Sequence, residues 1–377
     1  MAIALGPHGD AASAQETTAD SCDVARSDTT VRVGKLKSLI SLIDELLSNR
    51  KMTTDTMYVA RPVLPWTIKM KGQVNAYDME QYGTSESDYY YKNKPNVAVG
   101  ASANYKGLSV SFTVSMSKMF GENENEEFAI DYYNNRFGID VCWFSHKGFD
   151  ASKNYYHSGY RMDDAAVDGF SGSAYYVFNN KRFSYPAAFT RSWIQKKSAG
   201  SVIAGVSYHN SIFDTGFGES DVLDEIKSIE ARLNPEYMNE TGTMEYFDRL
   251  GLRYVALGVG YAYNFVPNRH WLLHGSILPG FIPWIDLYYK NTIYSYDCNF
   301  GKESQMTKIK EGNDYLDIRS RPFAYDMRLS VTYTWKNYFI GSDYVLTSNW
   351  IRCSYDGEKP NVSSKRWKMR CYFGIRL

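Results

Sequence analysis

From about Tyr58 to the end of the chain, apolar and polar side chains alternate with a period of two. Between Leu108 and Met116, Leu108, Val110, Phe112, Val114 and Met116 share one face, and Ser109, Ser111, Thr113 and Ser115 share the other. Between Tyr325 and Trp335, Tyr325, Met327, Leu329, Val331, Tyr333 and Trp335 oppose Asp326, Arg328, Ser330, Thr332 and Thr334. The last run sets Trp367, Met369, Cys371, Phe373, Ile375 and Leu377 against Lys368, Arg370, Tyr372, Gly374 and Arg376. Successive side chains of a strand point to opposite faces, so each run predicts a strand with one greasy and one polar face. Strand-like runs also occur near 66–76, 97–105, 127–133, 137–146, 171–179, 187–195, 201–210, 253–263, 271–283 and 338–350. Short turns such as Lys106-Gly107, Asn134-Asn135 and Lys336-Asn337 alternate with long polar connections near 78–95, 211–250, 286–320 and 351–364. The connection at 211–250 holds one short helical pattern, DVLDEIKSIEARL.

A different period appears only near the start. Leu36, Leu39, Ile40, Ile43, Leu46 and Leu47 fall on one stripe of a helix, with Lys35, Lys37, Asp44 and Glu45 facing away. Ahead of it, Ala12-Ser13-Ala14 followed by Gln15 has the form of a signal-peptide cleavage site, although no basic residue precedes it. The expected organisation is a signal-peptide remnant and leader over 1–32, an amphipathic helix and linker over 33–57, and a β-domain over 58–377. The stretch Trp271 to Tyr289 has the length of a spanning helix, but Gly275, Pro279, Gly280, Pro283 and Asp286 make a helix there poor.

The strand runs are about 9–12 residues long, long for a soluble protein and enough to cross a bilayer when tilted. Their apolar faces are unbroken, and Tyr and Trp sit near their ends, as an interfacial girdle requires. A soluble sandwich is the competitor. These features favour an all-β, antiparallel transmembrane β-barrel preceded by one amphipathic helix. Thirteen runs are visible, whereas a single-chain bacterial barrel needs an even number. One run is therefore false, split or missed; the weaker alternations near 66–76, 171–179 and 187–195 are the suspects. About 12 strands are expected, with 10 or 14 as alternatives.

Composition agrees. Lys+Arg and Asp+Glu are both 42, so there is no basic excess for nucleic acid. Aromatics reach 16% with 32 Tyr, unlike a disordered chain. No nucleotide loop or nucleophile elbow is present: Gly258 and Gly260 lack the third glycine. His270 and His274 are four apart with no Glu between them, so paired polar interior residues fit better than a metal site. His146, His209, Asp140 and Ser201 are the residues from which a barrel hydrolase would have to build a triad. The Asp88-Tyr89-Tyr90-Tyr91 cluster reads as part of an aromatic girdle, with a glycan-stacking loop as the alternative. The informative set is charged: Asp140, Asp326, Arg328, Lys368, Arg370 and Arg376 lie on the polar faces of strong strands. In a barrel they face the lumen, either as a stiffening network of ion pairs or as a constriction that selects solutes.

Several short stretches carry a resemblance. They are Asn96 with Gly100 and Tyr105-Lys106, Gly138-Ile139-Asp140, Lys147-Gly148-Phe149, Tyr160-Arg161-Met162, and Gly200-Ser201 with Tyr208. With the chain's end they resemble the Bacteroidota family catalogued as domain of unknown function 4421, over most of the chain after about residue 55. The resemblance implies an outer-membrane barrel of unassigned activity, with no catalytic residues to carry over. The expected role is non-enzymatic: solute passage, binding or envelope organisation, without a cofactor. The expected partners are outer-membrane lipid, the barrel-insertion machinery and a small solute or glycan, but no nucleic acid. The alternatives are an outer-membrane barrel hydrolase acting on lipid and a secreted soluble glycan-binding β-protein.

Overall fold

The alternating runs pair edge to edge until the sheet meets itself. A computed structural model of the chain describes residues 54–82, 88–116, 125–153, 160–231, 239–299, 304–354 and 359–377. Twelve strands form the wall: β1 (Trp66–Tyr82), β2 (Asn96–Tyr105), β3 (Leu108–Ser115), β4 (Asn125–Tyr133), β5 (Phe137–Lys153), β6 (Tyr160–Val177), β7 (Ala199–Asp214), β8 (Asn239–Phe265), β9 (Trp271–Asn299), β10 (Phe323–Trp335), β11 (Tyr338–Ser354) and β12 (Asn361–Arg376). Each pairs antiparallel with its sequence neighbour, and β12 pairs with β1 from Arg376↔Thr67 to Asn361↔Tyr82. The ring is thus closed, and none of the twelve wall strands is left as an end of the ring. The leader and the helix expected over 33–50 lie outside the described residues.

The false run is 187–195. It sits in the connection between β6 and β7, where Pro186 opens a one-turn helix, α1 (Pro186–Phe189). Proline tolerates a first helical position because its missing N–H has no partner there anyway. Beyond it Arg191 adopts φ 64°, and only Ile194–Gln195 is extended, paired with Val59–Ala60. Its apolar residues face the interior of the ring, not lipid: Phe183, Ala187, Ala188 and Trp193 are all buried.

The strands are longer than their alternation suggested. β8 and β9 have 27 and 29 residues, and much of the expected long connections at 211–250 and 286–320 is strand. Those segments are rich in Tyr, Thr and Asn rather than Val and Ile, yet they pair from Asn239↔Asn299 inward, with shifts of register only between Phe247 and Arg249 and between Val255 and Leu257. The helical pattern in the first of them is α2 (Glu219–Glu230), whose Val222, Ile226 and Ile229 pack on Tyr294 and Cys298 of β9. The proline-rich stretch of β9 is strand too. Pro283 falls in a bulge between the pairs Val255↔Trp284 and Leu257↔Phe281, where no ladder bond is asked of it. Gly258 of the G-x-G pairs with Gly280, and a Cβ on Gly280 would lie 2.8 Å from the Leu257 carbonyl oxygen. Those glycines serve close strand approach.

At one end the connections are tight. Lys106-Gly107 has positive φ at both positions (49° and 107°), the mirror-image turn that matches strand twist. At the other end the wall narrows. The strand Tyr89–Asn93 pairs with both β1 and β5, taking the place of β2, β3 and β4 beyond their ends. The tyrosine cluster is therefore neither girdle nor loop: Tyr91 is buried, with its ring 4.9 Å from that of Phe213.

Outward faces are apolar. Phe112 is 52% exposed, Leu329 47% and Phe373 53%, where a sandwich would have buried them. Inside, three layers follow one another from the tight-turn end: the folded-in 178–198 segment, a charged layer, and an aromatic core containing Tyr77, Phe144, Phe149, Phe213, Tyr254 and Ile351.

Candidate functional site

The charged layer is built by alternation on strands from opposite sides of the ring. β5 and β10 are not neighbours, so a contact between them crosses the enclosed space. Arg328 of β10 makes that contact: its Nη1 donates to Asp140 at 2.7 Å and its Nε to Asp326 at 2.8 Å. Tyr133 donates its hydroxyl to the same Asp140. The guanidinium also lies over the rings of Tyr175 (5.2 Å) and Phe189 (5.9 Å), the latter on α1. Charge, hydrogen bonding and stacking thus converge on one group, the combination for which a planar guanidinium is better suited than an ammonium.

Two further pairs continue the layer. Lys368 of β12 donates to Glu127 of β4 at 2.9 Å, and the Gln73 amide reaches the other carboxylate oxygen at 3.4 Å. Arg370 approaches Asp343 at 3.6 Å. Of the six residues singled out by alternation, Asp140, Asp326 and Arg328 form one cluster, Lys368 and Arg370 stand in two others, and Arg376 is apart. Arg376 lies near the tight-turn end with its guanidinium 5.8 Å from the Phe339 ring centre.

Other members were missed. Lys69 and Lys71 alternate with Ile68 and Met70 in the run treated as weak, and Glu127 and Asp131 alternate with Phe128 and Ile130; the same signal would have found them. Arg191 carried no such signal, because it reaches the interior from the folded-in segment. Its Nη1 donates to the Ala187 carbonyl at 2.6 Å and its Nη2 to the Tyr372 hydroxyl at 2.6 Å. Lys69 Nζ donates to the Phe189 carbonyl at 2.8 Å, tying the wall to α1. Asn264 Nδ2 donates to the Ser184 carbonyl at 2.8 Å and, with Gln195, holds the segment from the other side.

A cavity of about 130 Å³ remains within this layer, lined on its charged side by Lys69, Asp131, Asp140, Asp326, Arg328, Arg366, Lys368 and Arg370. At about 10–15 Å³ per water it has room for roughly ten. Counting Lys71 and Arg191, the layer sets seven cations against Glu127, Asp131, Asp140, Asp326 and Asp343. Two positive charges are in excess. Among the described residues no carboxylate lies within 4.0 Å of Lys69, Lys71 or Arg191.

The residues that a hydrolase would need are not together. Asp140 is engaged by Arg328. His146 and His209 lie in the aromatic core, each beside the Phe144 ring. Ser201 accepts from the Asn179 amide near the tight-turn end. His270 contacts the Thr334 carbonyl in a turn, whereas His274 is buried against Asn264 at 2.7 Å. Among the described residues no group of three His, Cys, Asp or Glu is placed to hold a metal.

Fold and interior together define a closed, twelve-stranded antiparallel β-barrel with an apolar outside and an ionic inside. The family model of a domain of unknown function (DUF4421) matches residues 53–376, and the chain belongs to that family. No curated protein matches it. Among solved structures, the outer membrane protein OprG from Pseudomonas aeruginosa is 9% identical, covering 83% of this chain and 96% of that one, with a TM-score of 0.26. The P. putida toluene transporter TodX is 9% identical (84% and 91% covered, TM-score 0.24), and Neisserial surface protein A is 10% identical (82% and 97% covered, TM-score 0.21). Scores this low carry no argument; the fold stands on the chain's own strand pairing.

Proposed function

We propose that the chain is an integral outer-membrane β-barrel without catalytic role, whose interior is a closed binding compartment rather than an open pore. The observation that carries the membrane reading is the spacing of exposed aromatics on the outer face. Trp66, Trp271, Trp335 and Tyr338 are exposed at the tight-turn end, and Phe281, Trp284 and Phe323 at the other. On β10 the two girdles are separated by the strand's 13 residues, about 40 Å at ~3.3 Å per residue, or about 30 Å at a tilt of ~40°. That is the height of a bilayer's apolar layer. Leu329 and Val331 fill the gap between them with exposed side chains. Short turns face the periplasm in such barrels, so the folded-in 178–198 segment belongs to the periplasmic end and α2 to the outside.

Closure is supported by the two layers that flank the cavity. Arg191, Phe183 and Trp193 fill one end, and the aromatic core fills the other. Purified chain should need detergent to stay in solution and should migrate faster on gels when unheated. Recovery as a soluble monomer in plain buffer, with no heat-dependent mobility, would refute the membrane assignment.

A further inference from the structure

Beside the main cavity the charged layer has a smaller recess. We propose that this recess, bounded by Lys69, Lys71 and Arg370, binds a phosphate group that carries one proton. The inference rests on reading the interior as a binding compartment.

Register assembles the recess from adjacent strands. Lys69 of β1 stands opposite Ser102 of β2, which stands opposite Ser111 of β3; on the other side Lys71 stands opposite Tyr372 of β12, and Arg370 opposite Asp343 of β11. Alternation points all of these inward. The recess measures about 30 Å³ and shares Lys69, Asp131, Asp343 and Arg370 with the main cavity. It has room for roughly two or three waters, which suits one tetrahedral oxyanion and not a sugar ring or an acyl chain.

Its polar groups are incompletely matched. Lys71 is only 8% exposed, yet has no hydrogen bond or ion pair among the described residues. The Arg370 Nε is buried without a partner, and so is the Asp343 Oδ1. An isolated buried charge is costly, so such groups are retained where something else completes them. Three cations face two carboxylates, Asp131 and Asp343, so the missing ligand is an anion. The free Asp343 oxygen, however, can only accept a hydrogen bond. The ligand must therefore offer oxygens to Lys71 and Arg370 and one O–H to Asp343. Hydrogen phosphate does both, and the end of a phosphate monoester does so as its monoanion, whereas sulfate at neutral pH has no proton to give. The hydroxyls of Ser102 and Ser111 supply donors for the remaining oxygens.

The test is equilibrium dialysis of the full chain in detergent at pH 7 with labelled inorganic phosphate, with labelled sulfate in parallel. One phosphate per chain is expected, held at least about tenfold more tightly than sulfate, an energy gap on the scale of one charge-assisted hydrogen bond. Lys71→Met should weaken phosphate at least about tenfold, and Asp343→Asn should abolish the preference over sulfate. Lys336→Met, in an exposed turn, should change neither. Ser102→Ala, which removes a single hydroxyl, should weaken phosphate several-fold; it keeps the test decisive should Lys71→Met lose its heat-dependent gel shift. Competition by glycerol phosphate would assign the group to a phosphate ester, and its absence to free phosphate; both support the site. Non-saturable uptake, equal affinity for sulfate, or full binding by both Lys71→Met and Ser102→Ala would overturn it. None of these results bears on detergent dependence, so failure here is distinct from failure of the membrane reading.

Discussion

Replacing Arg328 by Met tests whether the charged layer holds the barrel together. The methionine keeps most of the stem and removes the guanidinium, which leaves Asp140 and Asp326 facing one another's neighbourhood with no cation between them. Removing one partner of a buried pair costs about 3–5 kcal/mol, because the survivor remains desolvated. Here the arginine side chain is 10% exposed but the carboxylates are 16% and 23% exposed. Water can reach them in part, which places the electrostatic loss near the lower bound, about 3 kcal/mol. Losing the stack on Tyr175 and Phe189 adds about 1 kcal/mol. The expected total, about 4 kcal/mol, is close to a thousandfold in the folding equilibrium. Urea titration of the refolded chain in lipid vesicles, scored by the fast-migrating unheated gel band, reads this directly. Arg328→Met with Asp140→Asn and Asp326→Asn should recover much of the loss, since neutral amides are cheaper to leave inside. A single variant within about 1 kcal/mol of the parent, or a triple variant less stable than the single, would refute the reasoning.

Other outcomes follow from other layers. Leu329→Arg, in the middle of the outward band, should cost about 2–4 kcal/mol of folding stability in vesicles, whereas Ile309→Arg, on the exposed strand Gln305–Tyr315 beyond it, should cost almost nothing; equal effects would contradict the placement of the bilayer. Deleting 183–195 and joining the ends through a short turn should leave conductance in planar bilayers unchanged, because the aromatic core still fills the outer half; a large pore would show that core to be permeable. Lys290 stands on the outer extension of β9, about 60 Å along the strand from Trp271 at ~3.3 Å per residue; it and Lys308 of the paired strand Gln305–Tyr315 both donate to Glu311 on that strand. These hydrogen bonds hold the Glu311 carboxyl down to about 2. Since the folded value lies below the ordinary one, the stabilisation is full above pH ~4.5 and is lost as pH falls toward 2. Carbon-13 NMR of labelled glutamates should show one carboxyl titrating near 2, absent in Glu311→Gln; titration in the ordinary range would count against the pairing.

What the sequence disclosed and what it hid divide along one physical line. Alternation is a local property, so it exposed the strands, the closed wall and half of the charged layer, down to Arg328 and Lys368. It failed at 187–195, because Ala187, Phe189 and Trp193 alternate with small or polar residues while serving a folded-in turn of helix rather than a wall. It also failed past the bilayer, where β8 and β9 continue on Tyr, Thr and Asn with no greasy face to betray them. The partnership of Arg328 with Asp140 joins residues 188 apart in the chain, and no pattern within a window could report it. The tyrosines at 89–91 misled for the same reason: whether they meet lipid, solvent or a core depends on which strand lies alongside.

The folded-in segment also constrains how the chain is assembled. Arg191 grips Tyr372 on the last strand, and Ile194–Gln195 clasps Val59–Ala60 just ahead of the first. The stopper is thus fastened on both sides of the seam where β12 meets β1. The stopper is held at both places only once β12 has closed on β1, and a chain that stops short of β12 should lack the Arg191–Tyr372 contact.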